Sequence, residues 1–258
     1  MTRTIAVSGT ASGIGRALAD LLRAQGDEVI GIDLRDAEVR ADLAVPEGRA
    51  AAVEAVLDRS GGVLDGVVAC AGVSTFTPAT VRVNYFGAVA LLEGLRPALA
   101  RAERPRAAVV GSISGTQPVD AEVVAACLRG DERAALDLAG EAVERGAGVR
   151  LYPSSKAALA QWLRRGAVTP EWAGAGIPLN AIAPGVVRTA MTEPLFADPA
   201  MVRVMEEAVP MPLHGPAGPE AVAEALRWIT GPANTHITGQ VVYLDGGAEA
   251  VLRGPGLF

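Results

Sequence analysis

The sequence predicts one α/β domain in which helices cover both faces of a parallel sheet. Three observations predict it. Apolar runs of five or six residues alternate with longer segments of helical period. The runs are hydrophobic throughout rather than every second residue, as strands buried on both faces must be. A glycine-rich turn separates the first run from the first helical segment. No linker, repeat or low-complexity stretch interrupts the 258 residues, so the expectation is a single doubly wound domain over 1–258.

Taken in order, "TIAVS" (4–8) reads as the first buried strand. "IGRALADLLRAQG" follows as a helix: Leu18, Leu21 and Leu22 share a face, and Gly26 suits the C-terminal cap. "EVIGI" (28–32) is the second strand, with a short one around Val39 to Ala41. "GVVAC" (66–70), "AAVVGS" (107–112), "IPLNAI" (177–182) and "QVVYL" (240–244) complete the sheet. Helices are expected at 48–58, 80–100, 154–172 and 219–229.

Bulk properties exclude several classes. Net charge is −6, and no basic cluster is interleaved with aromatics, which argues against nucleic acid. Cys70 and Cys127 have no CxxC spacing, and His214 and His236 have no second ligand at metal spacing, so neither zinc nor a disulfide framework is expected. No apolar run approaches membrane-spanning length and no signal peptide precedes the first strand; the expectation is a soluble cytoplasmic protein without membrane insertion.

The first strand runs into "SGTASGIG", with Gly9, Gly13 and Gly15 at the strand-to-helix turn. Glycines there let the backbone approach a pyrophosphate, which sits on the positive N-terminus of the next helix. The second strand ends in "GIDLRD", placing Asp33 twenty positions beyond Gly13. An acid at that strand end accepts hydrogen bonds from the adenosine ribose hydroxyls and repels a 2′-phosphate, which predicts NAD over NADP. Arg16 and Arg35 lie near in sequence and act against that preference. No GK[ST] follows the glycines, so nucleotide hydrolysis is unsupported.

"LYPSSKAAL" (151–159) holds the chain's single lysine; every other basic side chain is an arginine. Tyr152 and Lys156 are i and i+4, one turn apart on a helix face. A phenol has a pKa near 10, and lowering it by about three units requires roughly 4 kcal/mol. A cation about 4 Å away at an effective dielectric near 20 supplies roughly that. A compact ammonium can reach a ribose and a phenolate together, where a planar guanidinium cannot, which accounts for a lysine that was not replaced by arginine.

These motifs, together with "CAG" (70–72), "VNYFG" (83–87), "NAIAPGVVRT" (180–189) and "VVYLDGG" (241–247), resemble the short-chain dehydrogenases/reductases along the whole chain. The resemblance implies a Rossmann-type fold, NAD as cofactor and a catalytic set of Asn84, Ser112, Tyr152 and Lys156. Tyr152 would be the acid/base, Lys156 would lower its pKa, Ser112 would hydrogen-bond the reacting oxygen and Asn84 would hold a water in the proton path. Ser112 is preferred to Ser114 because it precedes Gly115 by three places. The implied cofactor contacts are Gly9, Ser12, Gly13, Ile14 and Gly15 at the pyrophosphate; Asp33, Leu34, Asp42 and Leu43 near adenosine; Cys70, Ala71 and Gly72 at the end of the fourth strand; Tyr152 and Lys156; and Pro184, Gly185, Val187 and Thr189 along the nicotinamide.

Two departures stand out. Cys70 replaces the family's usual Asn, so a strand-end hydrogen bond is lost or replaced. The interval from Ser112 to Tyr152 is long, and 119–148 reads as one or two inserted helices. The insertion should obstruct a surface through which relatives pair, which favours a homodimer over a tetramer. Within the family, "VIGIDLRDAEVRADL", "VNYFGA", the insertion and the tail "DGGAEAVLRGPGLF" are similar to the bacterial 3α-hydroxysteroid dehydrogenase/carbonyl reductase group, and several of these features are shared by coniferyl-type aryl alcohol dehydrogenases. Met191, Met201, Met205 and Met211 fall in an expected substrate lid at 190–214, where adaptable apolar side chains suit a bulky hydrophobic secondary alcohol or ketone. A non-catalytic NAD sensor is the rival from another class, and the complete catalytic set argues against it. "GSISG" is not the GxSxG of a serine hydrolase.

Overall fold

Side chains alternate across the first strand, β1 (Thr4–Ser8): Ile5 and Val7 enter the core on one face of the sheet and Ala6 enters the core on the other. The computed structural model describes residues 2–257; Met1 and Phe258, the ends of the expected domain, lie outside the described residues. Further strands are β2 (Glu28–Asp33), β3 (Val39–Arg40), β4 (Gly66–Ala69), β5 (Arg106–Val110), β6 (Leu179–Pro184) and β7 (Val241–Leu244). They form one seven-stranded sheet in the order β3-β2-β1-β4-β5-β6-β7, and every neighbouring pair is parallel. Every residue of β5 and β6 is buried, as continuous apolar runs require.

The helices are α1 (Gly13–Ala24), α2 (Pro46–Arg59), α3 (Ala79–Val81), α4 (Ala88–Leu99), α5 (Ala121–Leu128), α6 (Glu132–Glu144), α7 (Leu151–Gly166), α8 (Glu193–Phe196), α9 (Pro199–Ala208), α10 (Pro219–Ile229) and α11 (Ala248–Arg253). Leu18 and Leu22 of α1 join Val222, Leu226 and Ile229 of α10 on the Ile5 face. On the opposite face α2, α4 and α7 bury Val56, Leu91, Leu95, Leu159 and Leu163. The fold is therefore a single doubly wound α/β domain, as the sequence predicts.

Boundaries depart from expectation where local chemistry intervenes. The helix expected over 80–100 is interrupted: α3 passes into a π-helical turn, Arg82–Gly87, before α4 begins. Within that wider turn the Asn84 side chain is drawn onto Val73 and Ser155. Helix α7 starts at Leu151, so Tyr152 lies inside its first turn; it stops at Gly166, short of Pro170. Strand β6 starts at Leu179 because Pro178 has no N–H to give the ladder. The insertion forms two helices, each with an aspartate cap. Asp120 accepts from the Glu122 and Val123 amides, and Asp131 from the Ala134 amide. Helix α5 packs on α7, and α6 on α5.

Candidate active site

The strand order reverses between β1 and β4, and open α/β sheets bind ligands at the carboxyl ends of strands where this happens. The main cleft opens there. It is lined by Gly9, Ser12, Gly13, Ile14, Gly15, Asp33, Leu34, Asp42 and Leu43 on one side of the switch point. Cys70, Ala71, Gly72, Ser112, Tyr152, Lys156, Pro184, Gly185, Val187 and Thr189 line the rest. Of the expected catalytic and cofactor-binding residues, Asn84 alone is absent from the lining.

The glycine loop has the shape a pyrophosphate needs. Gly9 and Gly13 have φ of +80° and +55°, a region that disfavours side chains. A Cβ on Gly15 would fall 2.3 Å from the Gly9 carbonyl oxygen. Ser12 is the N-cap of α1 without a side-chain hydrogen bond, so the helix meets the cleft with free amides. Asp33 closes β2; its carboxylate accepts from the Ala11 amide at 3.0 Å and the Leu34 amide at 2.7 Å, which fixes it at the cleft wall. Arg16 is paired instead with Asp20 at 3.9 Å. Crowded glycines, uncapped amides and a strand-end carboxylate together fit a dinucleotide whose ribose is free of 2′-phosphate.

At the other end stand Ser112, Tyr152 and Lys156. Ser112 caps a short 3-10 turn and accepts from the Ser114 amide at 3.1 Å; Ser114 is not in the lining. Burial raises the Tyr152 pKa above its ordinary value, with a hydrogen bond from Ser112 pulling the other way. Burial also lowers Lys156 to about 8, against a smaller opposing effect of Cys70. The Lys156 Nζ lies 5.7 Å from the centre of the Tyr152 ring and donates to the Val110 carbonyl at 2.8 Å. Burial thus sets the direction of the Tyr152 shift in this structure, upward rather than the expected three units down.

Asn84 is buried behind the cleft wall. Its Oδ1 accepts from the Val73 amide at 2.8 Å; its Nδ2 donates to the Val73 carbonyl at 2.9 Å and to Ser155 Oγ at 3.1 Å. The side-chain amide is therefore committed to fastening the segment after β4 onto α7. Near it, the strand-end hydrogen bond in doubt at Cys70 has a replacement. Ser8 Oγ, at the end of β1, accepts from the Cys70 amide at 3.1 Å and the Ala71 amide at 3.0 Å. Burial pushes the Cys70 thiol up to about 12, so it stays protonated despite Lys156 nearby. The sequence signal for Ser8 is a serine ending an apolar strand.

The lid methionines divide. Met191 lines the cleft and is 46% exposed, whereas Met201 faces solvent. Met205 and Met211 line a separate cavity against Val209 and Pro212. Met211 Sδ accepts from the Val186 amide at 3.2 Å, which makes it a brace for the loop after β6. Thr192 ties that loop back, accepting from the Thr189 amide at 3.1 Å and donating to the Val187 carbonyl.

A doubly wound sheet with a glycine-rich turn at its switch point and a Tyr–Lys pair facing it defines the dinucleotide-cleft class of α/β proteins. Residues 3–126 match the family model described as short chain dehydrogenase, and 134–249 match enoyl-(acyl carrier protein) reductase. The chain is 37% identical over 254 residues to the 3-alpha-hydroxysteroid dehydrogenase/carbonyl reductase of Comamonas testosteroni, covering 96% of this chain and 97% of the relative. It is 30% identical to galactitol 2-dehydrogenase (L-tagatose-forming) of Cereibacter sphaeroides, over 94% of this chain and 93% of that one. Among solved structures, the 3-alpha-hydroxysteroid dehydrogenase from Pseudomonas sp. B-0831 complexed with NADH is 46% identical, with a TM-score of 0.89 over 97% of this chain and 98% of that chain. This chain belongs to the short-chain dehydrogenase family, an oxidoreductase family. No helix among the described residues is long and apolar enough to cross a membrane.

Proposed function

We propose that this protein is an NAD-dependent cytoplasmic oxidoreductase that interconverts a bulky hydrophobic secondary alcohol and its ketone, with a 3α-hydroxysteroid as the leading substrate. The observation that carries the cofactor reading is Asp33, pinned by two backbone amides at the cleft wall where a 2′-phosphate would meet its charge. The NADH complex of the Pseudomonas relative supports it.

Gly9, Gly13, Ser12 and the first amides of α1 would hold the pyrophosphate, and Pro184, Gly185, Val187 and Thr189 would flank the nicotinamide. When bound, the oxidised cofactor supplies a hydride acceptor and a positive charge close to the phenol. Tyr152 Oη takes the substrate hydroxyl proton on oxidation and returns it on reduction, while Ser112 Oγ hydrogen-bonds the reacting oxygen. Lys156 serves this step once its ammonium leaves Val110 and turns toward the cleft. Asn84 acts by position, holding Val73 against α7 so that the cleft wall and Tyr152 keep their spacing.

Substrate size is supported by the lid at 190–214, which presents Met191 to the cleft, and by the full-length similarity to the Comamonas protein. Helix α5 covers the outer side of α7 within the subunit, which supports a homodimer over a tetramer. NAD reduction against a panel of 3α-hydroxysteroids, aryl alcohols, terpene alcohols and polyols tests the reading. Turnover of steroids or other bulky apolar alcohols is expected. Efficient turnover of galactitol-like polyols with none of the apolar alcohols would overturn it.

A further inference from the structure

The inserted helices play no part in the chemistry above, yet they reach the cofactor cleft through one side chain. Arg49, in α2, is 6% exposed and sits at the junction. Its Nε donates to the Leu43 carbonyl at 2.8 Å and its Nη2 to the Ala44 carbonyl at 3.2 Å. The same guanidinium grips the Glu132 carboxylate with two hydrogen bonds, at 2.7 and 2.6 Å. Glu132 is the first residue of α6, inside the insertion. The Phe86 ring lies 5.9 Å from the guanidinium carbon and helps to shut water out.

The loop held this way belongs to the cofactor cleft. Asp42 and Leu43 both line it, on the side of Asp33. The loop is packed tightly against α2, since a Cβ on Gly48 would fall 2.0 Å from the Asp42 carbonyl oxygen. A buried guanidinium without a counter-charge is strongly unfavourable, and carbonyl oxygens alone do not neutralise it. Glu132 is the carboxylate that lets Arg49 stay where it braces both carbonyls. At its other end the insertion meets α7: the Asp120 amide donates to Ser154 Oγ at 2.9 Å, two residues from Tyr152.

We infer that Glu132, acting through Arg49, is a positioning residue for the adenosine half of the cofactor, so that the insertion shapes the loop on which adenosine rests. This rests on the NAD reading above. Loss of the Glu132 carboxylate releases Arg49 and loosens the loop at 42–44, while Tyr152, Lys156 and the nicotinamide wall keep their places.

The test compares wild type, Glu132→Gln and, as a control, Glu122→Gln, an exposed acid of α5 remote from Arg49. AMP and nicotinamide mononucleotide serve as half-cofactor probes in binding titrations, beside kcat and the KM for NAD. In Glu132→Gln the KM for NAD and the Kd for AMP should rise about threefold to tenfold. The Kd for nicotinamide mononucleotide and kcat at saturating NAD should stay within about twofold, and Glu122→Gln should match wild type. Should Glu132→Gln fail to fold, Glu132→Asp is expected to show a smaller shift in the same direction. An unchanged AMP affinity in the folded variant overturns the inference, as does equal weakening of both half-cofactors. A wild-type chain that binds neither NAD nor AMP overturns the cofactor reading, and the inference with it.

Discussion

Lys156 and Tyr152 share a face of α7, yet the lysine gives its hydrogen bond to the Val110 carbonyl at 2.8 Å while its ammonium stays 5.7 Å from the phenol ring centre. The ammonium's hydrogen bond goes to a backbone carbonyl and not to the phenol. Burial holds the phenol above its ordinary pKa and the ammonium down at about 8. Engagement therefore requires a short swing of a flexible, compact cation from a carbonyl toward the cleft.

That requirement makes Lys156→Arg informative. The variant keeps the charge, but a planar fork cannot occupy the Val110 position and then reach both ribose and phenol. It should stay folded and lose about a hundredfold to a thousandfold in kcat, within the range of a general acid–base contribution. Steady-state rates at saturating NAD check this, and near-wild-type turnover would refute it.

The buried ammonium also costs stability, with a definite pH signature. Its folded pKa of about 8 lies below the ordinary 10.5, so the unfolded chain holds more protons between those values. Stability attributable to Lys156 accordingly rises as pH increases from about 8 to 10.5, and below 8 the penalty is constant. At about 1.4 kcal/mol per pH unit the penalty is on the order of 3 kcal/mol. Lys156→Met should be inactive yet more stable than wild type at pH 7, by on the order of 3 kcal/mol, with the gap closing toward pH 10.5. Denaturant unfolding across that pH range decides, and a pH-independent gap contradicts the assignment.

Cofactor choice rests on Asp33. Asp33→Ala removes the carboxylate that the Ala11 and Leu34 amides hold in place. The NAD over NADP ratio of kcat/KM should fall by about tenfold or more, equivalent to about 1.4 kcal/mol. A wild type that already prefers NADP would show that Arg16 or Arg35 dominates.

Ser8→Ala tests the strand-end brace. The substitution leaves two amides, of Cys70 and Ala71, without their acceptor beside the cleft. A loss of about 1–3 kcal/mol in unfolding free energy is expected, together with weaker NAD binding. Unchanged stability would mean that another acceptor, such as water, takes over.

How much of this was readable from the sequence depends on the range of the forces involved. Strands such as β5 and β6 announce themselves because burial on both faces demands unbroken apolar runs. Asp120 and Asp131 mark the inserted helices through local capping chemistry. The glycine loop and Asp33 follow from spacing along two adjacent elements. The π-turn at Arg82–Gly87 does not, because side-chain periodicity carries no record of a single widened turn. Asn84 was found, but its partners are backbone atoms of Val73 and a serine on α7, which spacing cannot supply. The methionines stand out by where they fall along the chain, and position in sequence is blind to which of them face the cleft. The direction of the Tyr152 shift depends on burial against the Ser112 hydrogen bond, and both are properties of the folded state.

A chain with one lysine has one side-chain amine, and here that amine lines the main cleft. Amine-directed isotope labelling would place a single side-chain reporter in the molecule, on Lys156 Nζ. Because its pKa is about 8, its resonance should move most over the pH range in which enzymes are usually assayed. Reagent access is limited by the Val110 hydrogen bond, so labelling speed measures how often the ammonium lets go, and bound cofactor should slow it further. The same substitution pattern that spared one lysine has left the protein with a built-in spectroscopic probe of the proposed catalytic step.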